Sequence, residues 1–231
     1  MIVAAALCAS PPLLHPALTG REAVVPALRA ACAEAVARLL QAGPEVVVVI
    51  GPGPVTSEWD PGGRFDPGTF GRGAAAGHGP AGGALPLSLG LGVMLLEQGG
   101  YRGARRLMAI GADEPASACA ALGAELAAGA TRTALLVMGD GSARRSLKAP
   151  GHLDPRAEPF DAAVEAAVRG GRLGALLELD EALARELMAT GRPAWQVLAG
   201  AVPEDGPVVD VLYRDDPFGV AYLVACAQLP R

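Results

Sequence analysis

The sequence predicts an α/β fold: a three-layer sandwich with a central mixed, largely parallel sheet flanked by helices. Three observations carry this. Hydrophobic period switches repeatedly between strand-like and helix-like along the chain. Two short segments, 46–50 and 133–138, are apolar on both faces, as central strands covered by helices must be. Each of these runs into a glycine-rich turn, Gly51-Pro52-Gly53-Pro54 and Gly139-Asp140-Gly141-Ser142.

The elements follow in order. Residues 2–8, Ile-Val-Ala-Ala-Ala-Leu-Cys, read as a first buried strand and not as a secretion signal, because no basic segment precedes them and the apolar run stops at Ser10-Pro11-Pro12. Over residues 21–41, Val24, Leu28, Cys32, Val36 and Leu39 recur at helical spacing, with Gly43-Pro44 as the stop. The β-branched run Val46-Val47-Val48-Val49-Ile50 is the clearest strand. Residues 51–83 are rich in Gly and Pro, hold Trp59, Phe65, Phe70 and His78, and show no steady period, so they read as a long loop. Helical spacing returns over 87–98 and 116–128, on either side of a short strand at 107–110. After the strand at 133–138, two or three helices are expected between 160 and 201. Strands at 208–213 and 220–227, joined by Asp215-Asp216-Pro217-Phe218-Gly219, read as a terminal hairpin on the sheet.

The 231 residues, 51% hydrophobic and 19% charged, suffice for one core, and the whole of 1–231 reads as a single domain. A net charge of −5 argues against a phosphate-backbone partner, which calls for clustered Lys and Arg, so no nucleic acid is expected. No run approaches the ~20 apolar residues of a membrane helix, so no membrane is expected either. Cys8, Cys32, Cys119 and Cys226 lie far apart inside apolar segments, which suits reduced, core-packed thiols in a cytoplasmic protein.

In open α/β sheets, ligands sit beyond the carboxyl ends of the strands. Ser10 to His15, the 51–54 turn, the 139–145 turn and the 215–218 turn converge there. The richest of these is Gly139-Asp140-Gly141-Ser142-Ala143-Arg144-Arg145, where turn amides, a hydroxyl and two guanidinium groups could cradle an anion. It is not a nucleotide-binding P-loop, since no Gly-Lys-Ser/Thr closes it, and the 51–54 turn lacks the glycine spacing of a dinucleotide fingerprint. The plain alternative is a tight turn in which Asp140 caps its own backbone and the arginines face water.

From Gly139 through Ser146-Leu147-Lys148-Ala149-Pro150-Gly151-His152-Leu153-Asp154-Pro155 to Phe160-Asp161, the sequence resembles the class III extradiol ring-cleavage dioxygenase family, within the Memo-like superfamily. The opening strand into Pro11-Pro12-Leu13-Leu14, the segment Leu85-Pro86-Leu87-Ser88-Leu89 and the segment Asp216-Pro217-Phe218-Gly219-Val220-Ala221-Tyr222 agree in order, so the similarity covers nearly the whole chain. Active members of that family hold Fe(II) with two histidines and a carboxylate and use a further histidine as acid/base. Carried over residue by residue, the first histidine falls on Ser10, the second on the 51–54 turn and the acid/base on Ala143; Asp215 alone keeps a ligand type. The resemblance therefore implies a divergent member with a degenerate iron site, no cofactor, and a retained crevice that takes a small aromatic or anionic molecule. Its pocket groups would be Ser10, Asp140, Ser142, Arg144 and Arg145. The competing expectation is an Fe(II) dioxygenase cleaving a catechol-type ring with relocated ligands His15, His78 and Asp215. Homo- or hetero-oligomers are common in the resembled family.

Overall fold

The computed structural model describes residues 1–20, 24–69, 84–202 and 207–229. Among these residues, seven strands form one sheet: β1 Ile2–Cys8, β2 Val46–Gly53, β3 Ser57–Trp59, β4 Ala104–Gly111, β5 Thr133–Met138, β6 Val208–Asp215 and β7 Tyr222–Gln228. Their order is β3-β4-β2-β5-β1-β7-β6. The four middle strands are parallel, while β3 pairs antiparallel with β4 on one edge and the β7-β6 hairpin pairs antiparallel with β1 on the other. The sheet is thus mixed and largely parallel, with helices on both faces, as the alternating period predicted.

Seven α-helices of the described residues accompany the strands: α1 Pro16–Thr19, α2 Pro26–Gln41, α3 Leu87–Gln98, α4 Ala116–Ala128, α5 Ala157–Arg169, α6 Glu181–Glu186 and α7 Arg192–Ala201. Strand alternation splits the core between two layers. Val47 and Val49 of β2 face a layer built with Leu28, Cys32 and Val36 of α2 and Leu89 and Leu96 of α3, while Val48 and Ile50 face one built with Phe160 of α5 and Trp195 and Leu198 of α7. All four cysteines are free and buried: Cys8, Cys32 and Cys226 in the α2 layer, Cys119 in the opposite one.

Two close approaches shape the α7 side. Gly123 of α4 and Gly200 of α7 let these helices touch backbone to backbone: a Cβ on Gly123 would lie 2.1 Å from the Val197 carbonyl oxygen, and one on Gly200 2.2 Å from that of Ala120. At the carboxyl end of β5, Gly139 meets the Cα of Gly191 in the same way, at 2.4 Å from an added Cβ. The Gly191 N–H then donates to the Asp140 carbonyl at 2.9 Å, which fixes the start of α7 beside the turn after β5.

Differences from the sequence reading are local. The 51–83 segment contains β3, a three-residue strand that exists through its pairing with β4 and carries no period of its own. The strand expected at 107–110 runs from Ala104 to Gly111. No helix of the described residues is long and apolar enough to cross a membrane.

Candidate functional site

Parallel strands β1, β2 and β5 all end at one rim of the sheet, and β7 begins there because it runs the opposite way. The 139–145 turn is sewn into this rim. The Gly141 N–H donates to the Ala221 carbonyl and the Ala221 N–H returns to Ser142, both at 2.8 Å; the Ala143 N–H donates to Leu187 at 2.9 Å and the Arg145 N–H to Gly219 at 3.0 Å. These amides are therefore committed within the protein. The anion cradle expected of them is not on offer, because a bound anion would have to break bonds that are already made.

Ser142 is fully buried and turns away from the rim towards α5. Its N–H donates to Asp161 Oδ1 at 2.9 Å and its hydroxyl to Asp161 Oδ2. Arg145 joins the same knot: its guanidinium contacts Glu158, Asp216 at 2.9 Å and Asp161 at 3.8 Å, with only 8% of the side chain exposed. Burial raises the Asp161 carboxyl above its ordinary range, against the pull of the Ser142 hydrogen bonds and the Arg145 charge. Ser142 and Arg145 thus clamp the turn to α5 and to the β6–β7 connection; neither lines the cavity beside Asp140, and Arg145 edges a separate small cleft. Arg144 is half-buried, and its Nε is enclosed with no partner among the described residues.

Asp140 behaves differently. It is partly buried, its Oδ1 accepts the Ser10 N–H at 2.6 Å, and its Oδ2 has no partner among the described residues. Burial raises its carboxyl from 3.8 to about 7, and the Ser10 amide only partly offsets this. Asp140 lines a cavity of about 490 Å³ whose other walls include Pro11, Leu13, Met188, Phe218 and Val220. Among the described residues, three side chains in its lining are polar, Asp140, Thr190 and Tyr222, and none is cationic. Tyr222 is 4% exposed, its hydroxyl has no hydrogen-bond partner among the described residues, and burial together with the Asp140 charge raises its phenol further above the ordinary range.

Met188 adds a strained feature to the same wall. Helix α6 ends with the Ala189 N–H donating to Ala184 at 2.8 Å and the Met188 N–H to Arg185 at 3.1 Å, a double closure that puts Met188 in the left-handed region at φ 58°. Glycine is the usual occupant of that slot; here a side chain is held there and lines the cavity.

Of the residues expected to replace iron ligands, His15 and Asp215 have separate surroundings. The His15 Nδ1 accepts the Ala17 N–H at 3.2 Å, capping α1, and its ring packs edge-on against Phe65 at 5.3 Å. Burial lowers its pKa, and nearby Arg29 adds to the effect. Asp215 accepts the Asp216 N–H at 2.9 Å and faces a separate small cleft beside Arg145 and Trp195. His78 lies outside the described residues. Ser10 contributes its amide to Asp140 while remaining 6% exposed.

The 51–54 turn has no room for an imidazole. A Cβ at Gly51 would lie 2.7 Å from Ser88 Cβ and Oγ, and one at Gly53 2.6 Å from Ala109 Cβ. The Ser88 hydroxyl instead donates to the Pro52 carbonyl at 2.6 Å. Among the described residues no three His, Cys, Asp or Glu side chains are placed to hold a metal ion. The donor set that the resemblance assigns does not fit a two-histidine, one-carboxylate iron site.

Local sequence pattern missed Tyr222, Met188 and Thr190 as members of the cavity. Tyr222 had a signal, since it stands in the Asp216–Tyr222 segment, but its closeness to Asp140 depends on β7 entering the sheet beside β1. No protein-family model matches the chain, and no curated protein matches it. A crystal structure of the uncharacterized protein JW3007 from Escherichia coli K12 is similar over 98% of this chain and 100% of that one, with a TM-score of 0.55 at 14% identity. At that identity the likeness carries the architecture and nothing about activity.

Proposed function

We propose that the chain is an extradiol-dioxygenase-like protein with a degenerate iron site, retaining its crevice as a binding site for a small, largely apolar molecule whose one polar group meets Asp140 and Tyr222. One observation carries this reading: Asp140, whose carboxyl makes a single hydrogen bond, lines a cavity of about 490 Å³ with mostly apolar walls, at the strand ends where α/β folds place ligands. The Asp140 Oδ2 is open to solvent in the free protein, and the polar group of a bound molecule would take the place of water beside it. An aromatic body suits Phe218 and the proline walls. An anionic ligand does not suit a lining whose one charged group among the described residues is a carboxylate.

Thermal-shift titration with 2-naphthol and 2-naphthoate tests the reading. 2-Naphthol is expected to raise the melting temperature of the wild type and to lose that effect in Asp140→Ala; saturation a hundredfold above Kd corresponds to about 2.7 kcal/mol. Equal shifts in both proteins would overturn the assignment. A preference for 2-naphthoate that vanishes in Arg144→Ala would return the site to the arginine turn.

A further inference from the structure

Resting on the site just proposed, we infer that Asp140 and Tyr222 form a proton-transfer pair that enolises an apolar ketone or β,γ-unsaturated ketone bound in the cavity. The lining sets the chemistry by what it holds and what it lacks. Among the described residues its one charged group is the Asp140 carboxylate, which favours an uncharged substrate over a carboxylate or phosphate. Cys8 is buried among apolar residues of the α2 layer, and Ser142 is tied to Asp161, so neither supplies a nucleophile. What remains, besides the hydroxyl of the exposed Thr190, is one carboxyl whose Oδ2 has no hydrogen-bond partner among the described residues and one phenol, in the same apolar lining.

That pair suffices for proton abstraction next to a carbonyl. Asp140 Oδ2 takes the α-proton; the C–H bonding pair becomes the new Cα–C π bond, and the carbonyl π pair moves onto oxygen. The Tyr222 O–H donates a hydrogen bond to that oxygen as its charge develops. The Asp140 carboxyl then returns the proton at the α- or the γ-carbon. The substrate leaves exchanged or isomerised, with no oxidant and no co-reactant.

The surroundings hold the base in place. Ser10, at the end of β1, fixes Oδ1, and the Gly191 amide at the start of α7 fixes the Asp140 carbonyl. Tyr222 on β7 is the titratable group facing Asp140, and no second charged side chain of the described residues lines the cavity. A carboxyl titrating at about 7 is strong enough as a base to take a carbon-bound proton and still partly ionised at neutral pH.

The test follows deuterium incorporation into 2-tetralone in D₂O by ¹H NMR and conversion of 3-cyclohexenone to 2-cyclohexenone by ultraviolet absorbance. Saturation-transfer NMR measures binding of the same probes. The wild type is expected to exceed buffer background, with kcat/KM rising through about pH 7 as Asp140 ionises. Asp140→Asn is expected to fall about 100-fold or more, to background, and Tyr222→Phe about 10- to 100-fold with binding retained. Tetralone binding with no exchange above background, or with equal exchange in Asp140→Asn, would overturn the proton transfer and leave the binding site standing. Binding of 2-naphthol with neither binding nor turnover of the ketones would likewise overturn it. Binding of none of these probes would overturn the site as well.

Discussion

Replacing Asp140 by Asn should make the protein more stable at alkaline pH and no different in acid. The native state keeps a proton on Asp140 up to about pH 7, whereas an unperturbed carboxyl gives it up near 3.8. Between those values folding takes up a proton, so stability falls as pH rises; this contribution is whole below 3.8 and gone above about 7. At 1.36 kcal/mol per tenfold, the displacement from 3.8 to about 7 sets a ceiling of about 4 kcal/mol. Water entering a cavity open to solvent lowers this, and about 2 kcal/mol is the expected gain of Asp140→Asn at pH 8. Asn keeps an Oδ1 to accept the Ser10 N–H, so the change removes the charge and little else. Urea unfolding of both proteins from pH 4.5 to 8.5 measures the difference, which should grow to a midpoint shift of about 1 M at the alkaline end. A difference flat with pH would refute the account of Asp140 as a desolvated carboxyl.

Three further outcomes follow from geometry. Gly123→Ala drives a methyl into the backbone of α7 and should cost about 3 kcal/mol or more, seen as a lower urea midpoint, whereas Gly174→Ala, with open space around it, should be near neutral. Arg145→Ala leaves the carboxyl of Asp161 buried with Ser142 alone and releases the 216 turn; about 2 kcal/mol of stability should be lost, together with faster amide exchange around Gly219. Met188→Gly relieves the left-handed strain at the end of α6 and should raise stability by about 1 kcal/mol in thermal unfolding while enlarging the cavity.

The sheet was legible where composition and burial coincide. Val46 to Ile50 and Thr133 to Met138 are apolar on both faces because helices cover both, and that leaves a mark in the residue types themselves. Helices α3 and α4 end where their period ends, at Gly99 and Gly129. The 139–145 turn was legible as a place and not as a chemistry. Its serine and arginine types suit an anion, but their partners Asp161 and Asp216 stand 19 and 71 residues further on, and local pattern does not weigh contacts of that span. Asp140 was found because it follows a buried strand. Its pairing with Tyr222 was not, since that depends on the hairpin reversing direction at the sheet edge. The short strand β3 is the same lesson in miniature: Ser57 to Trp59 is a strand only because β4 lies beside it.

The distribution of sulfur gives this chain a built-in reporter of its own breathing. Three thiols sit under α2 and the fourth under α4, and burial holds Cys119 and Cys226 up at about 11, so an alkylating reagent finds neither access nor thiolate while the layers stay shut. Mass-resolved maleimide labelling would then date the opening of each face separately. Synchronous modification at all four positions would mark a molecule that opens as one cooperative body, and early capture of Cys119 alone would mark a helical layer that lifts from the sheet first.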